Sequence, residues 1–171
     1  MELQLGDIVV FKRKGPVSFI LGGILKLFER DWDAWGWHVA FVSGQDDNGW
    51  NICEALAGGV AENPLSLYQD YKVYRWFDEA LDQLKVNKFV TSYLGKPYDI
   101  AIYFWTTLAV IIRHYWNKPI SKLLDERYSC WELTQEFTMD IGKPILSRYD
   151  VVIITDIMKS LEGKEIYYDA D

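Results

Sequence analysis

The sequence predicts an α+β fold in which a small antiparallel sheet packs against helices, and two patterns lead to this class. Short β-branched and aromatic runs, separated by turn-forming residues, recur up to Phe77 and are typical of antiparallel sheets. Beyond Asp78, apolar residues recur mainly at helical spacing. The 171 residues suffice for one core and contain no Pro/Gly/Ser-rich linker, so we expect a single domain over residues 1–171.

Each predicted strand is a short apolar run bounded by turn signals. Gln45–Gly49 is turn material that joins the second and third strands into a hairpin, and Gly58-Gly59 turns the chain into the fourth. The last residues, KEIYYDAD, are expected at the surface. The predicted strands are Ile8–Phe11, His38–Ser43, Trp50–Ala55, a run from Val60, Val73–Phe77 and Arg148–Ile154.

Helical spacing is found in four segments, and the last of them carries a cysteine at its start. The segments are Val17–Glu29, Asp78–Tyr93, 100–112 and Tyr128–Asp140. In the last segment Ser129 is placed to cap a helix and Glu132 falls in its first turn, so Cys130 is predicted at a helix N-terminus.

The apolar segment 100–112, with the sequence IAIYFWTTLAVII, is shorter than the roughly 20 residues that a membrane-spanning helix needs. A buried helix is therefore favoured over a surface that contacts a membrane or a partner. The N-terminus MELQLGDIVVF lacks the basic and long apolar regions of a signal peptide. We expect a cytoplasmic location, or delivery by a route without a signal, such as a phage particle.

Charge and residue spacing exclude several classes of function. The net charge is −7 and the basic residues are scattered, which does not build a nucleic-acid interface. No Cys/His spacing typical of zinc and no glycine-rich phosphate loop is present, so no metal and no cofactor is expected. The two cysteines, Cys53 and Cys130, are expected as free thiols.

Cys130 and His38 are the candidate nucleophile and base. A helix N-terminus favours thiolate over thiol, and a thiolate nucleophile needs an imidazole to donate and accept protons. Of the two histidines, His114 follows an apolar helix, where the helix dipole alone explains a cation, whereas His38 begins a strand. Glu54, on the neighbouring strand, is a candidate acceptor for the second ring nitrogen. Side chains alternate along a strand, so Cys53 would then face the core.

The order of these motifs resembles a known family, the permuted NlpC-type peptidases and amidases. The resemblance is to their YiiX/YebB-like branch, which is related to the lecithin-retinol acyltransferase-like proteins. Histidine precedes cysteine here, the reverse of the order in ordinary papain-like enzymes. The motifs that carry the resemblance are GDIVVF, WHVAFV with His38, ICEALAGGV with Glu54, YLGKPYD at Tyr93–Asp99, and YSCWELTQEF with Cys130.

The resemblance implies a circularly permuted papain-like fold and a role for each motif residue. Cys130 would be the nucleophile, His38 the general base and acid, and Glu54 the orienting residue. Backbone N–H groups at Cys130 would contribute to an oxyanion hole. The remaining oxyanion or cleft candidates are Tyr128, Ser129, Trp37, Trp131 and Tyr98.

The two tryptophans next to the catalytic candidates depart from the family pattern, which has small polar residues around the cysteine. Trp131 follows Cys130 and Trp37 precedes His38, where each either narrows the cleft or stacks on a substrate. For Tyr128 the alternatives are donation to a tetrahedral intermediate and simple packing. For Tyr98-Asp99 they are a wall of the cleft and a turn between helices.

Three functions remain open on the sequence. The first is a cysteine hydrolase that cleaves an amide or isopeptide bond through a Cys130 thioester, with a peptidoglycan-type peptide as the implied substrate. The second is a thiol acyltransferase that passes an acyl group from a lipid or acyl substrate to an amine. The third is a binding or virion-structural protein that keeps the fold without turnover.

Overall fold

The architecture is known from a computed structural model that describes residues 2–12, 36–101, 105, 107–108, 111–112, 115, 127–146 and 154–168. In this part of the chain, six strands form one antiparallel sheet in the order β4-β3-β2-β1-β5-β6. The strands are β1 Ile8–Lys12, β2 Gly36–Asp46, β3 Gly49–Leu56, β4 Gly59–Pro64, β5 Tyr71–Tyr74 and β6 Glu165–Tyr168.

Three helices are described over their whole length, α1 Gln83–Tyr93, α2 Cys130–Asp140 and α3 Ile154–Ser160, and a short 3-10 helix spans Leu65–Leu67. The α+β class predicted from the sequence is confirmed. Among the described residues, no helix is both long and apolar enough to cross a membrane.

Strand β1 lies in the middle of the sheet, between β2 and β5, and both of its faces are covered. Its β-branched residues Ile8, Val9 and Val10 are fully buried, which explains why the run is continuously apolar rather than alternating. Ile8 and Val10 belong to the cluster under the helices, whereas Val9 belongs to a second cluster on the opposite face.

Helix α2 is held on the sheet by an aromatic cluster. The rings of Phe41 and Phe137 stack at 3.8 Å with an interplanar angle of 2°, and Phe89 of α1 contacts both rings edge-on. Aromatic contacts of this kind add to the free energy of burying the rings. The cluster fixes α2 against β2, the strand that carries His38.

Several predicted element bounds differ from the structure. The helix predicted from Asp78 begins only at Gln83, because the Asp82 side chain accepts a hydrogen bond from the Leu84 N–H and caps the helix there. The strand predicted to run to Phe77 ends at Tyr74. The fourth strand, predicted from Val60, begins at Gly59.

The strand at the end of the chain was not predicted. The tail was expected at the surface, and Glu165 is exposed, but Glu165–Tyr168 also pairs with β5 as the edge strand of the sheet. Of the strand predicted at Arg148–Ile154, residues 148–153 lie outside the described residues, and Ile154 begins α3. The predicted helix Val17–Glu29 and the interpretation of His114 also fall outside the described residues.

In the apolar 100–112 segment, the described residues Trp105, Thr107, Leu108, Ile111 and Ile112 are helical and half-buried. Ile100 at its start has an exposed fraction of 69%. The described residues from Trp105 to Ile112 are therefore helical, as predicted, but half-buried, whereas Ile100 and Ala101 form a turn before them.

Candidate active site

The start of α2 is fixed by a capping box around Cys130. The Ser129 hydroxyl accepts from the Glu132 N–H, and Glu132 Oε2 accepts from the Ser129 N–H at 2.9 Å and from Ser129 Oγ at 2.7 Å. This arrangement makes Cys130 the first residue of the helix, where backbone N–H groups have no partner within the helix. The positive end of the helix dipole therefore lies at the thiol, which is 2% exposed.

His38 and Glu54 face one another across the β2–β3 hairpin. His38 Nε2 and Glu54 Oε2 are 2.6 Å apart, and the Glu54 side chain is fully buried. Cys53, the preceding residue, lies with Phe41 in the cluster on the other face of the sheet. The predicted alternation, with Glu54 toward His38 and Cys53 toward the core, is present.

The thiol of Cys130 is a second partner of the His38 ring. Burial opposes protonation of the ring, but the charge and hydrogen bond of Cys130, together with Glu54, raise the pKa of His38 to about 10. Because Glu54 occupies Nε2, the nitrogen left for Cys130 is Nδ1. The His38 ring therefore lies between the Cys130 side chain and the Glu54 carboxylate, and its raised pKa favours the imidazolium.

Glu54 is kept ionised by its neighbours despite its burial. Burial raises the pKa of Glu54, but hydrogen bonds and charge from His38, with further hydrogen bonds from Tyr68 and Asn63, hold that pKa below its ordinary value. Asn63 Nδ2 donates to Glu54 Oε1 at 2.9 Å, and the Tyr68 hydroxyl donates to the same oxygen.

The environment of Cys53, unlike that of Glu54, disfavours the ionised form of its side chain. Burial, and then the charges of Glu62 and Glu54, raise the pKa of the Cys53 thiol far above its ordinary value. This thiol is packed in the core and remains protonated, so Cys130 is the cysteine suited to nucleophilic chemistry.

A cavity of about 290 Å³ opens beside Cys130, and we call it the cleft. Apart from the thiol and the imidazole, its walls are apolar or aromatic. The residues that line it are Trp37, His38, Ala55, Leu56, Ala57, Tyr98, Ile100, Cys130 and Trp131.

The structure brings most of the predicted site residues together, but not all of them. Cys130, His38, Trp37, Trp131 and Tyr98 line the cleft, and Glu54 lies behind His38. Two of the predicted cleft residues do not line it.

These two residues are Tyr128, whose ring packs against another tyrosine, and Ser129, which caps the helix. The Tyr128 ring packs edge-on against Tyr93 at 5.0 Å and is also hydrogen-bonded to it. The Ser129 hydroxyl is used in the capping box. The physical reason is that the Tyr128 backbone pairs with that of Tyr98 while its ring packs on Tyr93, and that the Ser129 hydroxyl is occupied by Glu132.

Sequence analysis missed Asn63 and Tyr68, which hold the second oxygen of Glu54. Asn63 lies on β4, and pairing of β3 with β4 brings it near Glu54. Tyr68 follows the short 3-10 helix, and no periodicity in the sequence marks it. The exposed Ile100 at the mouth of the cleft was also missed as a site residue.

The geometry can be compared with proteins of known structure. The crystal structure of the metalloprotein YiiX from Escherichia coli O157:H7 superimposes with a TM-score of 0.59 and 18% sequence identity, over 96% of this chain and 83% of that one. The chain has a YiiX-like fold. No family model matches the sequence, and no curated protein matches it.

The word metalloprotein belongs to YiiX itself. In the described part of the chain with the YiiX-like fold, no group of three or more His, Cys, Asp or Glu side chains is placed to hold a metal ion. The residues in this part of the chain therefore do not fit a metal centre of that size.

Replacing Cys130 by alanine is expected to lower the pKa of His38 from about 10. The substitution removes the charge and hydrogen bond that favour the imidazolium most, so only Glu54 then opposes the effect of burial. NMR titration of the histidine ring signals measures this pKa, with His38 assigned by loss of its signal in His38→Gln. The matched variant Cys53→Ala should leave the pKa of His38 unchanged. The same pKa in Cys130→Ala as in the parent protein would show that the thiol and ring do not interact.

Proposed function

We propose that the protein is a cysteine hydrolase of the circularly permuted papain-like type that cleaves an amide or isopeptide bond through a thioester at Cys130. The observation that carries this proposal is the continuous set of contacts from Cys130 through His38 to Glu54 at the wall of an open cleft. The YiiX-like fold, with the histidine strand before the cysteine helix, supports the permuted assignment.

In the proposed reaction Cys130 Sγ attacks the carbonyl carbon of the substrate. The negative charge that develops on the carbonyl oxygen would be stabilised by free N–H groups at the start of α2. The imidazolium of His38 gives its proton to the leaving nitrogen as the C–N bond breaks, which leaves a thioester on Cys130. His38 then takes a proton from water, the resulting hydroxide attacks the thioester, and the C–S bond breaks to release the carboxylic acid and restore the Cys130 thiolate beside the imidazolium.

The lining of the cleft favours one alternative, an acyltransferase. Apart from His38 and Cys130, every residue that lines the cleft is apolar or aromatic, which suits an acyl chain better than a charged peptide. In this alternative the same thioester forms, but an amine rather than water attacks it. Exclusion of water from the acylated cleft would decide between the two.

Intact-protein mass spectrometry tests the proposal. The protein is incubated with two panels of amides, muropeptide-type peptides and N-acyl amides of increasing chain length, and the expected result is an acyl adduct on Cys130 together with released amine. The adduct should be absent in Cys130→Ala and retained in Cys53→Ala, which removes the other thiol. Transfer of the acyl group to added hydroxylamine in preference to water would favour the acyltransferase. Absence of any adduct or released amine with both panels would contradict both enzymatic functions and favour a binding protein.

A further inference from the structure

We propose that Tyr68 and Asn63 are positioning residues that hold Glu54 in the one orientation in which it can bind His38. This proposal rests on the function proposed above and extends the site by two residues beyond the cysteine, histidine and glutamate. The observation behind it is that the two oxygens of Glu54 have separate sets of partners.

The division of partners between the oxygens is complete. Oε2 is 2.6 Å from His38 Nε2, whereas Oε1 accepts from both Asn63 Nδ2 and the Tyr68 hydroxyl. Because Oε1 accepts two hydrogen bonds, the Glu54 carboxylate cannot rotate without breaking both of them. Because hydrogen bonds to a charged group are about twice as strong as neutral ones, such a rotation is costly.

Packing fixes the phenol as well as its hydroxyl. The ring of Phe11 lies 4.8 Å from the Tyr68 ring and 5.3 Å from the His38 ring, with both pairs tilted. Phe11 is buried and belongs to β1, so it contacts the imidazole and the phenol from one rigid strand. The orientation of His38 and the position of the Tyr68 hydroxyl are thus set by the same side chain.

The two donors also keep Glu54 charged. Glu54 is fully buried, and burial without partners favours the neutral form of a carboxyl. Loss of the Tyr68 hydroxyl would remove one of the hydrogen bonds that lower the pKa of Glu54. A neutral Glu54 would stabilise the imidazolium less, so the pairing of His38 with Cys130 would be weakened at the mildly acidic pH at which Glu54 becomes partly protonated.

The test uses Tyr68→Phe, which keeps the ring against Phe11 and removes only the hydroxyl. Titration of the ¹³C-labelled carboxyl of Glu54, assigned with Glu54→Gln, is expected to show a raised pKa of Glu54. Alkylation of Cys130 by iodoacetamide should be about tenfold slower than in the parent protein at about pH 5 and nearly equal at about pH 8. The control is Tyr71→Phe, since Tyr71 also contacts Phe11, at 6.2 Å, but is not a partner of Glu54. In Tyr71→Phe, the pKa of Glu54 and the rate of Cys130 alkylation should equal those of the parent protein.

A second variant, Asn63→Ala, removes the other donor and should shift the Glu54 titration in the same direction. A packing defect without a positioning role would slow alkylation by the same factor at both pH values. Such a result, or a Glu54 titration in Tyr68→Phe that coincides with that of the parent protein, overturns the inference. The carboxyl titration needs no substrate, so it stands even where Cys130 forms no adduct, and the two proposals fail separately.

Discussion

Replacing His38 by alanine should slow alkylation of Cys130 by iodoacetamide at about pH 6 by about 100-fold. An ordinary cysteine is almost entirely protonated at that pH, and only the thiolate reacts. In this protein the pKa of His38 is raised to about 10, so its ring carries a positive charge at that pH, and in the proposed site this charge would favour the thiolate of Cys130. Peptide mass spectrometry after timed labelling measures the rate at Cys130 and at Cys53 in the same sample.

Two controls accompany the His38 variant. His114→Ala removes the other histidine of the chain and should leave the labelling rate at Cys130 unchanged. Cys53 should label slowly in every folded variant because it is buried and protonated, and its rapid labelling would reveal unfolding. Equal labelling of Cys130 in the parent protein and in His38→Ala, with Cys53 still protected, would refute the ion pair.

The variant Gly59→Ala should lower the free energy of unfolding by about 3 kcal/mol. Gly59 has φ of +111°, a backbone conformation that residues with a side chain rarely adopt. A Cβ at this position would lie 2.7 Å from the carbonyl oxygen of Lys96, a backbone atom that cannot move aside by rotating a side chain. The same oxygen accepts the hydrogen bond of the Val60 N–H at 2.9 Å, so the clash would also break this contact.

Gly58→Ala is the matched control, one residue earlier in the same turn. It is not among the glycines with positive φ, and a Cβ there would have no atom within 4 Å. We expect this variant to change the free energy of unfolding by less than about 1 kcal/mol. Urea denaturation followed by tryptophan fluorescence gives both values. Equal unfolding midpoints for the two variants would contradict the proposed close approach.

The parts of the fold that depend on local pattern were predictable from the sequence. The β1 run, the β2–β3 hairpin and the capped start of α2 follow from residues that are neighbours in the chain, and Ser129 and Glu132 mark the cap directly. The contact between His38 and Glu54 could be predicted from the alternation of side chains along a strand and the pairing of two neighbouring strands.

The parts that depend on distant pairing were not predictable. Glu165–Tyr168 contains strand-favouring Ile and Tyr residues but is only four residues long, and its pairing with the distant β5 is not encoded in its own pattern. Tyr128 is two residues from the nucleophile in sequence, yet its backbone pairs with Tyr98 and its ring packs on Tyr93. Tyr68 reaches Glu54 from an irregular segment, for which hydrophobic spacing gives no signal.

The separation of His38 and Cys130 along the chain has a consequence for the order of folding. More than half of the chain lies between them, and the strands β1 to β5 are all complete before Cys130 is synthesised. His38 and Glu54 are therefore synthesised before Cys130. The pair formed by Cys130 and His38 exists only once α2 has docked on β2. Contacts this distant in sequence form late, because the entropy of closing a long loop must first be overcome. Reactivity of Cys130 would thus report completion of the fold, and its appearance during refolding would be among the last events observed.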